Sequence, residues 1–432
     1  VSAFLEELKW RRMLAEASPG ADKLLSEGQV SGYIGFDPTA DSLGVGNLVQ
    51  VMMLLHFQRA GHKPFALVGG ATGMVGDPSG KSEERNLLGE DALAQNLAGQ
   101  RAQLERFLDF GAGTTGAEIV NNYDWFKGIS FLDFIRDTGK HLTVNYMMAK
   151  DSVKKRIAGE DREGMSFTEF SYQLVQGYDF YWLWKNRGVK LQMGGSDQWG
   201  NILTGTELIR RKAQGEAFGV TTPLITKADG VKFGKTEKGN VWLDAKKTSP
   251  YEFFQFWLNA SDDDVKNYIR IFTLLDRATV EGLEAEHTAA PHTRVLQKTL
   301  AKDITTRVHG KDELDVALAA TELLFGKGTI DELKALSDER FLSVFVGAGV
   351  PVAEVPRDAF TVGVNVVDLV TDKSQLVASK GEARKLMQAN GLSVNKVKVT
   401  DPKHTVGVGE LINGRFLLLQ KGKKDYCLVK AV

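Results

Sequence analysis

Three polar side chains within one short stretch have the types and spacing to hold a small polar molecule. Tyr172, Gln176 and Asp179 lie four and three residues apart in Phe170-Ser171-Tyr172-Gln173-Leu174-Val175-Gln176-Gly177-Tyr178-Asp179. On a helix this spacing sets a phenol, an amide and a carboxylate on one face. A carboxylate placed to meet a phenolic hydroxyl, beside groups able to fix an ammonium, is what a free tyrosine requires. The same spacing also describes an ordinary solvated helix face. A little further on, Met193-Gly194-Gly195-Ser196-Asp197-Gln198-Trp199-Gly200-Asn201 follows the apolar-rich run Val189–Met193, which predicts a strand. Glycines just past a strand end let a ligand approach the backbone closely. Helix, strand and glycine loop together favour a site over a solvated face.

Three other stretches add phosphate-binding chemistry. Phe36-Asp37-Pro38-Thr39-Ala40-Asp41-Ser42-Leu43-Gly44-Val45-Gly46-Asn47 runs from a strand end into a helix start, where free N–H groups and the helix dipole favour anions. Gly46 would let a flat base lie on the backbone. The segment Gly69 to Arg85 is glycine-rich and ends in the cations Lys81 and Arg85, and Lys232-Phe233-Gly234-Lys235-Thr236 sets two lysines about a glycine. Each alone is a common surface pattern. Together they supply an adenine shelf and several cations for a polyphosphate.

The elements that must position these groups read as α/β. Strands are expected at Tyr33–Phe36 and Phe65–Gly69, with a helix from about Gly46 to Ala60 between them, capped by Asp41 or Ser42. Strand, helix, strand implies a parallel sheet. Glycines gather at the strand ends, where such a sheet binds its ligand. From about Thr248 to Phe325 the pattern turns helical, with Leu296, Leu300, Ile304 and Val308 as one stripe. Gly310 ends that helix and Lys311 opens the next. Prolines and mixed polar residues around Val350 to Thr361 suggest a linker. Beyond Val366, basic residues outnumber acidic ones about two to one, a bias sought in RNA-binding modules and also found on plain solvated domains. Ser393–Val399 and Phe416–Leu419 alternate as short strands.

Bulk properties narrow the classes. A chain of 432 residues fits two to three domains, and its net charge of −1 advertises no global affinity for nucleic acid. Cys427 is the single cysteine, so neither an internal disulfide nor a cysteine metal cluster is available. The seven histidines have no metal-ligand spacing. Val1–Trp10 lacks the apolar core of a signal peptide, and the apolar-rich stretch Val49–Phe57 is too short to span a bilayer. A soluble, cytoplasmic protein without membrane partners is expected.

These stretches, with Tyr123-Asp124-Trp125-Phe126, resemble the bacterial-type tyrosyl-tRNA synthetases, a class I aminoacyl-tRNA synthetase family, over essentially the whole chain. The resemblance implies a Rossmann-like parallel-sheet catalytic domain (1–225), a mobile lysine loop (226–245), an α-helical anticodon-side domain (246–345), a linker (346–365) and a small α+β RNA-binding domain (366–432). It implies that Tyr33 and Asp179 bond the phenolic hydroxyl of L-tyrosine. Tyr172, Gln176 and Asp77 would hold its ammonium, with Thr72 nearby and Gln198 near its carboxylate. Gly35, Asp37, Gly46 and Gly195 would line the ATP site, with Asp197 on the ribose. Thr39, Asn47, Lys81, Arg85, Lys232, Lys235 and Thr236 would serve the phosphates, assisted by Mg2+. Ser379, Lys380, Arg384, Lys385 and Lys398 would meet tRNA, and a homodimer is implied.

The chain departs from its family at one motif. The family's His-x-Gly-His reads Gly44-Val45-Gly46-Asn47 here. Asn47 retains amide donors, whereas Gly44 has no side chain. This leaves open a synthetase-like protein that binds RNA or tyrosine without activating it. A tryptophan-specific relative is disfavoured, because Asp179 suits a phenol better than an indole.

Overall fold

The computed structural model describes residues 1–77, 89–150, 153–154, 165–228, 230, 233–236, 239–325, 334–335, 337–423 and 425–432. The chain divides into two compact units, Val1–Asp244 with Ala260–Leu300, and Ala245–Asn259 with Ala301–Val432.

In the first unit, the described residues form strands β1 (Glu16–Ala17), β2 (Ser31–Phe36), β3 (Lys63–Val68), β4 (Glu118–Asn121), β5 (Val189–Gly195) and β6 (Phe218–Thr222). They line up as β1-β6-β5-β2-β3-β4, parallel throughout except for β1 against β6. This is the Rossmann-like sheet expected. The connections run outward from β2 to β3 and β4, then return to β5 on the other side of β2. The strand order therefore reverses between β2 and β5, the place where open parallel sheets form a ligand crevice beyond the strands' carboxyl ends. Parallel strands covered on both faces need continuous apolar runs, and Phe65, Ala66, Leu67 and Val68 are all buried.

The helix Leu48–Arg59 links β2 to β3. Asp41 and Ser42 do not cap it. A short 3-10 turn, Val45–Asn47, precedes it, and the Ser42 hydroxyl instead bonds Leu43 O and accepts from Gln103 and Asp244. The helix Phe167–Arg187 carries the polar triad. Its start is set by a capping box in which Ser166 accepts from Glu169 N and Glu169 reaches back to Ser166 N. Gly188, at φ +67, ends it.

Residues 260–300 join the first unit rather than a helical domain beginning near 246. A cation buried just after helix Ala3–Trp10 ties part of this stretch to it. Arg11, 1% exposed, donates to the carbonyls of Arg270, Thr273 and Leu275 at 2.7, 2.8 and 2.8 Å, and to Glu7 at 2.6 Å. Three of those acceptors lie at or just beyond the end of helix Asp262–Phe272, whose last carbonyls have no intrahelical partner.

In the second unit, Leu392–Val394, Val397–Lys398, Phe416–Lys421 and Asp425–Ala431 form an antiparallel sheet, and the helix Lys380–Gln388 packs near it. Two sequence expectations change here. Residues 346–365 are not a linker: Val352–Val355 pairs in parallel with Leu428–Ala431 as the sheet's fifth strand, and Arg357–Val362 is helical. Ser393–Val399 is not one strand but a tight hairpin, because Asn395 and Lys396 take φ of 47° and 67° and reverse the chain. The expected stripe Leu296, Leu300, Ile304 and Val308 is buried, and Gly310, at φ +92, separates its helix from Lys311–Phe325.

Arg11→Met should destabilise the first unit by about 3 kcal/mol or more, since it strands three carbonyls that a charged donor satisfied. Urea unfolding followed by circular dichroism measures this, and a midpoint equal to the parent's would refute the clamp.

Candidate active site

The crevice between β2 and β5 is walled by the triad helix. Side chains alternate along β2, so Tyr33 turns towards that helix and meets Phe180 edge-on, ring centroids 5.5 Å apart. Tyr33 is 1% exposed and Asp179 is 1% exposed, which excludes the solvated-face alternative for this helix. The Tyr33 hydroxyl is buried with no hydrogen-bond partner among the described residues. Burial, with the nearby Asp179 charge, pushes its pKa well above that of a free phenol.

Asp179 is held by two side chains absent from the expected site. Trp125 Nε1 donates to its Oδ1 at 2.9 Å, and Asn122 Nδ2 to its Oδ2 at 3.1 Å. Burial nevertheless pushes the carboxyl up to about 8; the two donors pull the other way and the Asp37 charge adds to the rise. Trp125 is fixed in turn by stacking on Trp182 at 4.3 Å.

A second set of polar groups comes from the segments that follow β2, β3 and β5 and from the triad helix itself. Thr72 donates to Asp37 Oδ1 at 2.9 Å, and the Tyr172 hydroxyl to Asp37 Oδ2 at 3.2 Å. Gly69 makes this approach possible: a Cβ there would lie 2.3 Å from Thr72 Oγ1 and 2.6 Å from Asp37 Oδ1. Gln198 Nε2 donates to Asp77 Oδ2 at 2.7 Å, and Gln176 Nε2 to Gln198 Oε1 at 3.2 Å. Asn201, also unforeseen, donates to Gln176 Oε1 at 3.0 Å and Gln198 Oε1 at 3.3 Å, with Asp77 Oδ1 at 3.5 Å. Thus Tyr33, Thr72, Asp77, Tyr172, Gln176, Asp179 and Gln198 come together, and Asp37 bonds directly to this group.

The expected nucleotide residues border the crevice. Gly35 and Gly195 lie on β2 and β5, and Asp197 follows on the next turn, within 3.4 Å of Gln198 Nε2. Gly46, Asn47 and Thr39 are exposed. Asn47 Oδ1 accepts from Gly44 N at 3.0 Å, a contact that leaves its Nδ2 donors unspent. Lys235 and Thr236 are exposed on a two-residue strand paired with Gly239–Asn240. The turn before them is anchored by Phe233, which stacks on Phe272 and packs on Tyr268. A Cβ on Gly234 would lie 3.3 Å from Gly46 N, so the lysine segment rests on the Val45–Asn47 turn. Lys81, Arg85 and Lys232 lie outside the described residues. Among the expected RNA contacts of the second unit, Ser379 caps helix Lys380–Gln388, and Arg384, Lys385 and Lys398 are exposed. Lys380 is paired with Asp368 and Asp372, so its charge is compensated internally.

The chain's similarities agree with this geometry. Residues 25–326 match the family described as tRNA synthetases class I (W and Y), and residues 344–429 match the tyrosine--tRNA ligase SYY-like C-terminal domain. The tyrosine--tRNA ligase of Cytophaga hutchinsonii is 58% identical over 429 residues, covering 99% of each chain. That of Flavobacterium johnsoniae is 56% identical over 431 residues, again covering 99% of each. Among solved structures, a C-terminally truncated mitochondrial tyrosyl-tRNA synthetase of Aspergillus nidulans superposes with a TM-score of 0.68 at 30% identity, covering 75% of this chain and 95% of that one. With a family match over most of its length and full-length bacterial relatives above half identity, the chain belongs to the class I tRNA synthetases of the tryptophan and tyrosine group, in the bacterial tyrosyl branch.

Proposed function

We propose that the chain is a tyrosine--tRNA ligase, which activates L-tyrosine with ATP and transfers it to the 3'-terminal adenosine of its tRNA. The observation that carries this is the buried pair at the foot of the crevice: a Tyr33 hydroxyl with no partner among the described residues, and the Asp179 carboxylate. Such a pair suits a phenolic hydroxyl. Phenylalanine would leave the Tyr33 hydroxyl without a partner and Asp179 with only its Asn122 and Trp125 donors, the kind of loss for which the tyrosine enzymes are themselves the standard illustration. In this reading Tyr172, Gln176 and Asp77 take the ammonium, Thr72 supports them, and Gln198 lies by the carboxylate. Gly35, Asp37, Gly46, Gly195 and Asp197 receive the nucleotide.

In the first step the tyrosine carboxylate attacks the α-phosphorus of ATP. A carboxylate–phosphorus bond forms as the bond to pyrophosphate breaks. A ribose hydroxyl of tRNA then attacks the adenylate carbonyl and AMP leaves. The substrate is its own nucleophile, so the protein's work is positioning and stabilisation of spreading negative charge. Thr39, Asn47, Lys81, Arg85, Lys232, Lys235 and Thr236 are assigned to that charge. Among the described residues no group of three or more His, Cys, Asp and Glu side chains converges as a metal cage. Mg2+ belongs to the same proposal, arriving on the phosphates of ATP and held largely by them and by water.

Arg384, Lys385 and Lys398 are the proposed tRNA contacts of the second unit, with Ser379 and the compensated Lys380 beside them. A homodimer is part of the same proposal, supported by exposed Phe131, Leu132, Ile135, Val144 and Met148 within one short segment. So is a cytoplasmic setting, where both ATP and tRNA are found. No described helix is long and apolar enough to cross a membrane.

Amino-acid-dependent exchange of labelled pyrophosphate into ATP tests the proposal. Tyrosine should support exchange, and phenylalanine should be at least about a hundredfold weaker, because it lacks the hydroxyl that would make two buried hydrogen bonds. Tryptophan should give none. Protein that binds tyrosine but exchanges with no amino acid would overturn the assignment. Gly44→His, run alongside, should leave turnover within about tenfold if the lysines and Arg85 carry the charge. A gain of about a hundredfold, the value of one missing donor at a developing charge, would show that they do not.

Asp179 gives a pH dependence with a definite sign. Its carboxyl titrates near 8 in the folded chain against an ordinary value of 3.8. Between these values the folded chain keeps a proton that the unfolded chain has released, so stability falls as pH rises. The contribution is complete below the lower value and lost through the upper one. Asp179→Asn should therefore gain stability relative to the parent as pH rises from about 4 to about 8, then level off. Urea midpoints across that range measure it, and parallel curves for the two proteins would contradict the shift.

A further inference from the structure

We infer that the helix Glu90–Phe107 positions the nucleotide side of the site, through an amide stripe at Asn96, Gln100 and Gln103 and a bare glycine at position 99. The inference rests on the ATP assignment above and names residues outside it. The three amides are spaced four and three residues apart, on one helix face. All three hold the irregular strip Asp37–Leu43, which joins β2 to the Val45–Asn47 turn. Asn96 Nδ2 donates to Pro38 O at 2.9 Å. Gln100, 2% exposed, donates through Nε2 to Asp37 O at 3.3 Å and Ala40 O at 3.1 Å. Gln103 accepts from Leu43 N at 2.7 Å and donates to Ser42 Oγ at 2.9 Å. Between them, a Cβ on Gly99 would fall 2.0 Å from Asp41 O, so the strip's backbone lies directly on the helix.

The far edge of the strip is paired as well. Leu243 N donates to Leu43 O at 2.9 Å, Val45 N to Val241 O at 3.0 Å and Asp244 N to Ser42 Oγ at 3.2 Å. The segment carrying Asp37, Thr39 and Gly46 is thus clamped between the amide helix and the stretch that follows Lys235 and Thr236. A reaction without an acid–base residue depends on alignment, and a small misplacement of the phosphates costs rate. Tyr33 and Asp179 stand on β2 and on helix Phe167–Arg187, outside the clamp, and Thr72 and Tyr172 hold the Asp37 carboxylate independently of the backbone oxygens that the amides grip. The amides touch no reacting atom, so they are positioning residues, and their loss should be felt at ATP rather than at tyrosine.

Gln100→Met keeps the volume and deletes both donated bonds; Asn96→Ala deletes one bond at a half-buried position. The measurements are the Kd of a non-hydrolysable ATP analogue, the KM for ATP in tyrosine-dependent exchange, and the Kd for tyrosine by equilibrium dialysis. Gln100→Met should raise both ATP constants about tenfold, and Asn96→Ala less, with tyrosine Kd within about twofold. Unchanged ATP constants in both folded variants, or a parallel loss of tyrosine binding, would overturn the inference. If the unaltered chain binds the analogue but gives no exchange, the activation proposal fails, while the analogue Kd of the two variants still decides the role of the helix.

Discussion

Burying a carboxylate is expensive unless its oxygens are bonded, and the Asp179 carboxylate sets the terms for the rest of the site. Its donors belong to a closed circuit. Asn122 donates to both Asp179 Oδ2 and Thr72 Oγ1 at 3.1 Å and accepts from Ala71 N at 2.7 Å, so no polar atom of its amide is wasted. Thr72 donates to Asp37, and Asp37 accepts from Tyr172 on the helix that carries Asp179. The circuit leaves that helix at Asp179 and returns to it two turns earlier at Tyr172. A displacement of β3 or of the turn after β4 would break it somewhere. Such a network specifies one arrangement because each half-satisfied state is costly.

The same helix carries Gln176 into the second network with Gln198, Asp77 and Asn201. Both ends of a small amino acid would therefore be measured from one rigid element, Phe167–Arg187. Rigidity here serves discrimination, since a site that adapted could pair its own buried groups when the wrong side chain entered. The proposed phosphate side is built differently, from a clamped backbone strip that would align the phosphates and from exposed cations such as Lys235 that would offset their charge.

What could be seen in the sequence follows the range of the interaction. The triad at 172, 176 and 179 is legible because helix spacing is local and the Ser166–Glu169 box marks its start. The strands at 33–36 and 189–193 show as short apolar-rich runs followed by glycines. The roles of Asn122 and Trp125 are hidden, because each lies more than fifty residues from the carboxylate it holds, and nothing near them marks a donor. Arg11 is hidden for the same reason, its carbonyl partners lying some 260 residues away. Residues 352–355 look like a linker because an edge strand is defined by its partner, here 428–431. The hairpin at 393–398 was concealed by alternation continuing through a turn, which only the positive φ of Asn395 and Lys396 reveals.

Gly44 ties these strands of argument together. A family side chain is missing there, and its N–H is spent on Asn47 Oδ1, so position 44 offers approaching phosphates no side-chain donor. Its backbone forms an antiparallel bridge to Trp242. Val241, beside that bridge, donates to Gly234 O at 3.0 Å, across the turn that presents Lys235. Position 44 thus anchors the segment bearing one of the cations proposed to replace the lost donor. A side chain there would meet Val241 O at 3.3 Å from its Cβ, tight enough to press on the same anchor. The glycine and the lysine segment form one mechanical unit, in which giving up a donor on the strip is compatible with holding the cations closer to it.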